Sequence, residues 1–350
     1  MAERYPDSAE AEEQLANLLR WQGKHGEAVA RAEARYARTK DAQSAKALAG
    51  LYRAAGRNAE AARLLEDHEK IRTTEPEAAR LYIASLLDAG EKEKANTALY
   101  ALDEAVLAAV RREDPGLYCR TLVHSLEIGG EAAEYSDHRY ADDRAYVRFE
   151  TPVAGKVFVG TAEQVWRYDQ SDTNFHGDLY STLPEDMWGY LTFSVAPGAD
   201  FLPRYMVGAH LYKPLGALEV GLGYEYSSYS ETDVHMVVPE YTYYFGNGFS
   251  WMQKLYWVPQ TDSYALQNQL KYTQACRWNA ALSFTPASSN EKIDVGSVFR
   301  QSDADLLRVE GEYRLTPEWL VGGALYNDWY RSGGNAFTRT GMQLYLRRYW

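Results

Sequence analysis

The sequence predicts an α + β multidomain protein: an N-terminal helical solenoid, then a C-terminal antiparallel transmembrane β-barrel of about fourteen strands, within a range of roughly 12 to 16. Three observations carry this reading. Residues 1–130 hold 28 alanines and 7 aromatics, whereas residues 131–350 hold 18 alanines and 40 aromatics, including all ten phenylalanines. Alanine favours helix and aromatic residues favour strand. Glycines recur at a fixed spacing in the first part, and apolar residues alternate with polar ones through the second. The expected organisation is a helical domain over 1–130, a linker or short first strand over 131–142, and a barrel over 143–350.

Composition bounds the function. At 350 residues and 46% hydrophobic the chain can bury substantial cores. A net charge of −12, divided as −3 and −9 between the two parts, leaves neither part basic, which excludes a nucleic-acid binder. No apolar run approaches the roughly 18 residues of a spanning helix. A barrel escapes that test, because alternating strands average to a polar value such as the mean hydropathy of −0.49 seen here. Cys119 and Cys276 are expected to be lone thiols; without a Cys/His cluster, neither a metal nor a cofactor is expected. The opening MAERYPDSAEAEE lacks a basic start and apolar stretch, leaving a cytosolic protein or a removed targeting segment as alternatives.

The helical part repeats. Gly23, Gly56 and Gly90 sit in LLRWQGKHGEA, LYRAAGRNAEA and LLDAGEKEKAN. Four residues before each come Leu19, Tyr52 and Leu86, and five after come Ala28, Ala61 and Ala95. These positions share helical faces, so each unit reads as two amphipathic helices joined at a glycine turn. The pattern resembles the tetratricopeptide repeat (TPR) over residues 7 to about 103, without the tryptophan of that family's first helix. Residues from 104 to roughly 129, running into LEIGGEA (126–132), read as a degenerate closing unit. Such a stack offers either a protein-docking surface or a plain spacer.

After residue 140 the period becomes 2. In LEVGLGYEY, Leu218, Val220, Leu222, Tyr224 and Tyr226 alternate with Glu219, Gly221, Gly223 and Glu225; YALQNQLKY and LLRVEGEYRL behave likewise. A soluble sandwich would turn the apolar faces inward, and a membrane barrel would turn them to lipid. Strands of about 10 to 13 residues suit the barrel. So do aromatic residues near strand ends, Trp188, Trp251, Trp257, Trp319, Trp329 and Tyr349, which are expected to form interfacial girdles. The terminus GMQLYLRRYW puts Met342, Leu344, Leu346 and Trp350 on one face, with Arg348 expected at the water interface.

The run from 178 to 229 resembles the YaiO family of outer-membrane barrels. It carries the family's Asp-x-Tyr strand (Asp178, Tyr180), its F-x-P-basic-Y turn (Phe201, Pro203, Arg204, Tyr205) and its L-G-x-L-E-x-x-x-G-Y hairpin (Leu215, Gly216, Leu218, Glu219, Gly223, Tyr224). The final phenylalanine of the family is Trp350 here, and the first strand is expected at EYSDHRYADD, 134–143. The resemblance implies the outer membrane of a Gram-negative bacterium, a periplasmic helical domain and a removed signal peptide. Repeats followed by a barrel are similar in architecture to outer-membrane exporters of cellulose and poly-N-acetylglucosamine, which implies export of an exopolysaccharide. The partners implied are outer-membrane lipid, periplasmic or inner-membrane components of a polysaccharide synthase docked on the TPR-like domain, and a polysaccharide chain in the lumen.

The candidates for pore-lining or saccharide contact are Asp178, Tyr180, Tyr190, His210, Glu219, Glu225, Glu240, Arg308, Glu310, Arg314, Asp328 and Arg339, beside Arg148, Glu150, Lys254, Lys271, Asp294, Glu312 and Arg347. Carboxylates accept hydroxyl hydrogens, and tyrosines are expected to offer faces for pyranose stacking. Opposite charges pairing across strands to hold the wall are the structural alternative. Connections are expected to be short throughout, with no lid. A non-conducting docking scaffold and a barrel enzyme acting on lipid or polysaccharide are the competing functions. Of seven histidines, only His176, His210 and His235 lie among the strands, none in a nucleophile motif, so no enzyme is expected.

Overall fold

The computed structural model of the protein describes residues 9–350 except 137–140, 168, 231, 289–292, 296–297, 301–302 and 333–334. The chain divides into two compact units, Met1–Val123 and His124–Trp350.

The first unit contains α1 (Ala9–Trp21), α2 (His25–Thr39), α3 (Ala42–Ala54), α4 (Asn58–Glu66), α5 (Glu69–Thr74), α6 (Pro76–Asp88), α7 (Lys92–Tyr100), α8 (Glu104–Glu113) and α9 (Pro115–Thr121). Three hairpins, α1/α2, α3/α4 and α6/α7, turn at Gly23, Gly56 and Gly90, all with φ between +76° and +83°. Their turn chemistry repeats. Lys24, Arg57 and Glu91 donate to the carbonyls five residues back at 2.9, 2.8 and 2.8 Å, while the glycines donate three residues back. This pair of bonds is a Schellman motif, whose left-handed residue suits glycine. Ala28, Ala61 and Ala95 are fully buried, as is Leu86; Leu19 is nearly so and Tyr52 is half-buried, donating to Glu33 at 2.9 Å. Asp88 clamps the stack, accepting from Arg53 of α3 at 3.0 Å and Arg120 of α9 at 3.1 Å.

The second unit comprises β1 (Ser125–Tyr135), β2 (Ala141–Val153), β3 (Lys156–Arg167), β4 (Gln170–Thr182), β5 (Trp188–Val195), β6 (Tyr205–Leu215), β7 (Leu218–Ser228), β8 (Asp233–Gly246), β9 (Phe249–Val258), β10 (Ser263–Gln274), β11 (Trp278–Ser288), β12 (Ile293–Val295), β13 (Val298–Arg300), β14 (Asp303–Arg314), β15 (Trp319–Ser332) and β16 (Asn335–Tyr349). Fourteen of these form a closed antiparallel barrel, and β12 and β13 form a separate hairpin between β11 and β14. Closure pairs β1 with β16 from Ser125↔Tyr349 to Tyr135↔Arg339. His124 and Trp350 add two backbone bonds at 3.0 and 3.1 Å. With an even strand count, the turns at 154–155, 216–217 and 247–248 share the end of the barrel that holds His124 and Trp350. The connections 196–204, 259–262 and 289–302 lie at the opposite end.

Three expectations are corrected. The barrel begins at Ser125, so LEIGGEA belongs to β1 and not to a closing helix; of 131–142, expected as a linker or short first strand, residues 131–135 are strand and 137–140 lie outside the described residues. Gly129, Gly130, Ala132 and Ala133 dilute the alternation in β1, which hides it. Connections are not uniformly short: 196–204 joins β5 to β6, and β11 and β14 are separated by 289–302, within which the described β12 and β13 pair. Neither Cys119 nor Cys276 is a free thiol.

Polarity is inverted relative to a soluble barrel. Leu222, Leu325 and Leu344 are 59, 66 and 61% exposed, while Glu127, Asp328 and Arg339 are 3, 0 and 2% exposed. Outward side chains are apolar and the charged ones turn inward, beside an apolar cluster of Val234, Met236, Val238, Tyr256 and Val258, which suits lipid outside and a largely polar lumen inside. Among the described residues no helix is long and apolar enough to cross a membrane; the strands do so instead. Arg348 lies at the chain end, 5.6 Å over the Trp319 ring.

Candidate functional site in the barrel lumen

Alternation aims the even residues of β4, β5 and β6 and the odd residues of β7 inward, and register sets them side by side: Tyr180↔Tyr190, Tyr190↔His210 and Trp188↔Tyr212. The rings form two rows. Trp188 and Tyr212 stack at 4.0 Å and 7°; Tyr190 stacks on His210 at 4.5 Å and 5°, with Tyr180 on its other side at 5.0 Å and 35°. Carboxylates hold the polar tips. Glu219 accepts from Trp188 Nε1 at 2.8 Å, Glu240 from the Tyr212 hydroxyl at 3.1 Å, and Glu225 pairs with His210 Nε2 at 2.8 Å. Lys254 lies 3.6 Å from Glu240, and His176 bonds Asp178 at 3.0 Å. Seven candidates, Asp178, Tyr180, Tyr190, His210, Glu219, Glu225 and Glu240, thus sit on one wall formed by β4 to β8.

Room for these rings comes from β7. A Cβ on Gly223 would lie 2.2 Å from His210 Nδ1, and one on Gly221 would lie 2.5 Å from the Tyr212 ring. The glycine of the hairpin motif is therefore a space left for an inward ring.

The remaining candidates occupy the wall from β14 round to β2. Arg308 donates to Glu310 at 3.2 Å and to Gln343 at 2.5 Å. Arg347 donates to Glu127 at 2.6 Å and lies 3.4 Å from Glu312, which also accepts from Tyr345 at 2.6 Å. Arg314 donates to the Pro317 carbonyl at 2.5 Å. Arg339 lies 3.0 Å from Asp142, 3.3 Å from Asp328 and 3.7 Å from Glu131. Arg148 and Glu150 point inward from β2 and Lys271 from β10. The backbone of Asp294 belongs to β12, and its side chain lies outside the described residues. Two cavities open between these groups, about 330 Å³ beside Arg148, Arg308 and Arg347 and about 220 Å³ beside Arg144, His176 and Arg339.

Several assignments change. Trp188 and Tyr349 face the lumen, not lipid: Trp188 bonds Glu219, and the Tyr349 hydroxyl accepts from Arg347 at 2.9 Å. Girdle and lumen rims both lie at strand ends, so position alone misled; the parity of Trp188 with Tyr190 carries the signal. Tyr212 was absent from the candidates although it shares the parity of His210. Tyr190 has neighbours on both faces, so it presents its edge and hydroxyl to the lumen and not a face for stacking.

A closed fourteen-strand antiparallel barrel with an apolar exterior and an ionised interior is an outer-membrane β-barrel. Residues 123–280 match the YaiO membrane beta barrel domain, a span that includes the Asp178, Phe201 and Glu219 motifs. No curated protein matches the sequence. Among solved structures, the outer membrane protein Omp33 of Acinetobacter baumannii is 13% identical, with 65% of this chain and 99% of that one covered at a TM-score of 0.42. A bacterial polysaccharide outer membrane secretin is 7% identical, with 65% and 98% covered and a TM-score of 0.44. The anion-selective porin of Comamonas acidovorans is 10% identical, with 65% and 99% covered and a TM-score of 0.34.

Proposed function

We propose that the protein is an outer-membrane conduit for an exopolysaccharide, entered from the end of the barrel that carries His124 and Trp350. The repeats then lie in the periplasm as a TPR-like docking module for a synthase component. The supporting observation is the wall of β4 to β8, where Tyr190, Tyr212, Trp188, Glu219, Glu225 and Glu240 line the lumen toward that end. Hydroxyls and carboxylates exchange hydrogen bonds with sugar hydroxyls at little net cost, as a moving chain requires. Ring edges grip less than ring faces, which favours passage over retention.

Steady ion conductance of purified protein in planar bilayers, reduced by added neutral oligosaccharide, is the expected result, with weaker block in Glu219→Gln and Glu240→Gln. Conductance untouched by any oligosaccharide contradicts the reading. The near-complete burial of Arg339, Asp142, Asp328 and Glu131 favours one alternative, a non-conducting docking scaffold, and a silent bilayer decides for it. A barrel enzyme is the third reading, with Ser194 the cross-strand partner of His176 and His176 bonded to Asp178 at 3.0 Å; hydrolysis of labelled lipid that is lost in His176→Ala decides for it.

A further inference from the structure

The connection between β5 and β6, APGADFLPR, is the F-x-P-basic-Y turn of the sequence, and no role follows for it from the conduit wall. Its base is closed by Ala196 N–H to the Arg204 carbonyl at 3.0 Å, and its tip by Ala199 N–H to the Ala196 carbonyl at 3.2 Å around Gly198 at φ +70°. Arg204 N–H donates to the Ser228 carbonyl at 2.7 Å. A surface loop needs nothing more, yet this one is tied inward. Asp172 of β4, only 3% exposed, accepts from three successive backbone N–H groups: Asp200 at 2.9 Å, Phe201 at 3.0 Å and Leu202 at 2.8 Å.

Three amides converging on one carboxylate make a charge-assisted anchor in a water-poor place. Phe201 is buried beside it, with the Arg167 guanidinium 5.7 Å from its ring. Arg167 donates to Asp142 at 2.9 Å, and Asp142 holds Arg339 at 3.0 Å. The loop is thereby joined through β4, β3 and β2 to β16. Leu202 and Pro203 line the 220 Å³ luminal cavity together with Arg144, Glu163 and Arg339, so the loop bounds the lumen, at the end opposite His124 and Trp350.

We propose that residues 196–204 form the exit constriction of the lumen and that Asp172 is the latch holding it there, so that this loop sets the cross-section of what passes. The proposal rests on the conduit reading. Replacing Asp172 by alanine strands three N–H groups at once, that of the buried Phe201 among them, and the Phe201 N–H regains hydration only if the loop leaves the mouth.

The test uses the full-length protein in detergent and planar bilayers, with heat-modifiable migration on gels confirming a folded barrel. Two readouts are followed in wild type, Asp172→Ala, and a variant with 198–201 replaced by a single glycine. The first is trypsin cleavage after Arg204, and the second is single-channel conductance. Expected are a protected Arg204 in wild type, cleavage in Asp172→Ala, and conductance raised at least twofold in both variants. An Arg204 that stays protected in Asp172→Ala refutes the latch. Cleavage at Arg204 with conductance equal to that of a conducting wild type refutes the constriction. Silence in wild type and both variants refutes the conduit itself and the constriction with it, while the cleavage readout still reports on the latch.

Discussion

Gly223 illustrates how single residues set the lumen wall. The imidazole of His210 is 1% exposed, wedged between Tyr190 and the bare Cα of Gly223 while bonded to Glu225. A methyl group there overlaps the ring, so Gly223→Ala must expel His210 or bend β7, an overpacking cost of about 1–3 kcal/mol. The temperature at which the folded barrel loses its heat-modifiable migration is expected to fall by several degrees in Gly223→Ala. Adding His210→Ala is expected to recover part of that loss, because the added methyl then has room; a double variant no better than the single one contradicts the packing account. None of this was readable as geometry in LEVGLGYEY, where the glycine looked like one polar-face residue among several. The contact it serves runs across strands to a residue thirteen positions away.

At the scale of elements, helix starts and strand periods were legible unequally. Asp41 caps α3, accepting from the Ser44 N–H at 2.7 Å. That backbone bond, with help from Thr39, holds the Asp41 carboxyl below its usual value of 3.8. Since the folded value is the depressed one, the stabilisation is present above about pH 4 and is lost as pH falls through the lower folded value. Asp41→Asn keeps the cap but cannot titrate, so the helical unfolding midpoint of the full-length protein, followed by circular dichroism, should fall less steeply below pH 4 than in wild type. Asp41→Ala should cost about 1 kcal/mol at neutral pH. Parallel acid profiles for wild type and Asp41→Asn would remove the cap from the account. The glycine turns of the repeats were readable because identical backbone chemistry recurs at a fixed spacing. The first strand was not, because Gly129, Gly130, Ala132 and Ala133 satisfy a barrel wall without announcing an apolar face. The 196–204 loop showed its composition but not its anchor, since Asp172 lies some thirty residues earlier and nothing local links the two.

For the whole molecule, composition was the most informative property. An alanine-rich half and an aromatic-rich half cannot share one period, and the structure divides them at Val123 and His124. The number of strands follows from length and alternation, whereas the pairing of inward charges does not. Arg339 meets Asp142 and Glu131 only because closure brings β16 beside β1, whereas Asp328 faces it directly across the β15/β16 hairpin. Much of the interior is therefore wall-building electrostatics, as ion pairs across adjacent strands usually are. The wall of β4 to β8 differs in kind, because its carboxylates are held by tyrosine, tryptophan and histidine side chains.

Site-directed spin labelling along β7 in lipid bilayers tests this account at its root. Labels at 220, 222 and 224 should collide readily with dissolved oxygen, and labels at 219, 225 and 227 with a water-soluble nickel reagent, giving a strict two-residue alternation. The opposite phase, or equal access at all six positions, would mean that the leucines do not meet hydrocarbon and that no aqueous passage runs through the protein.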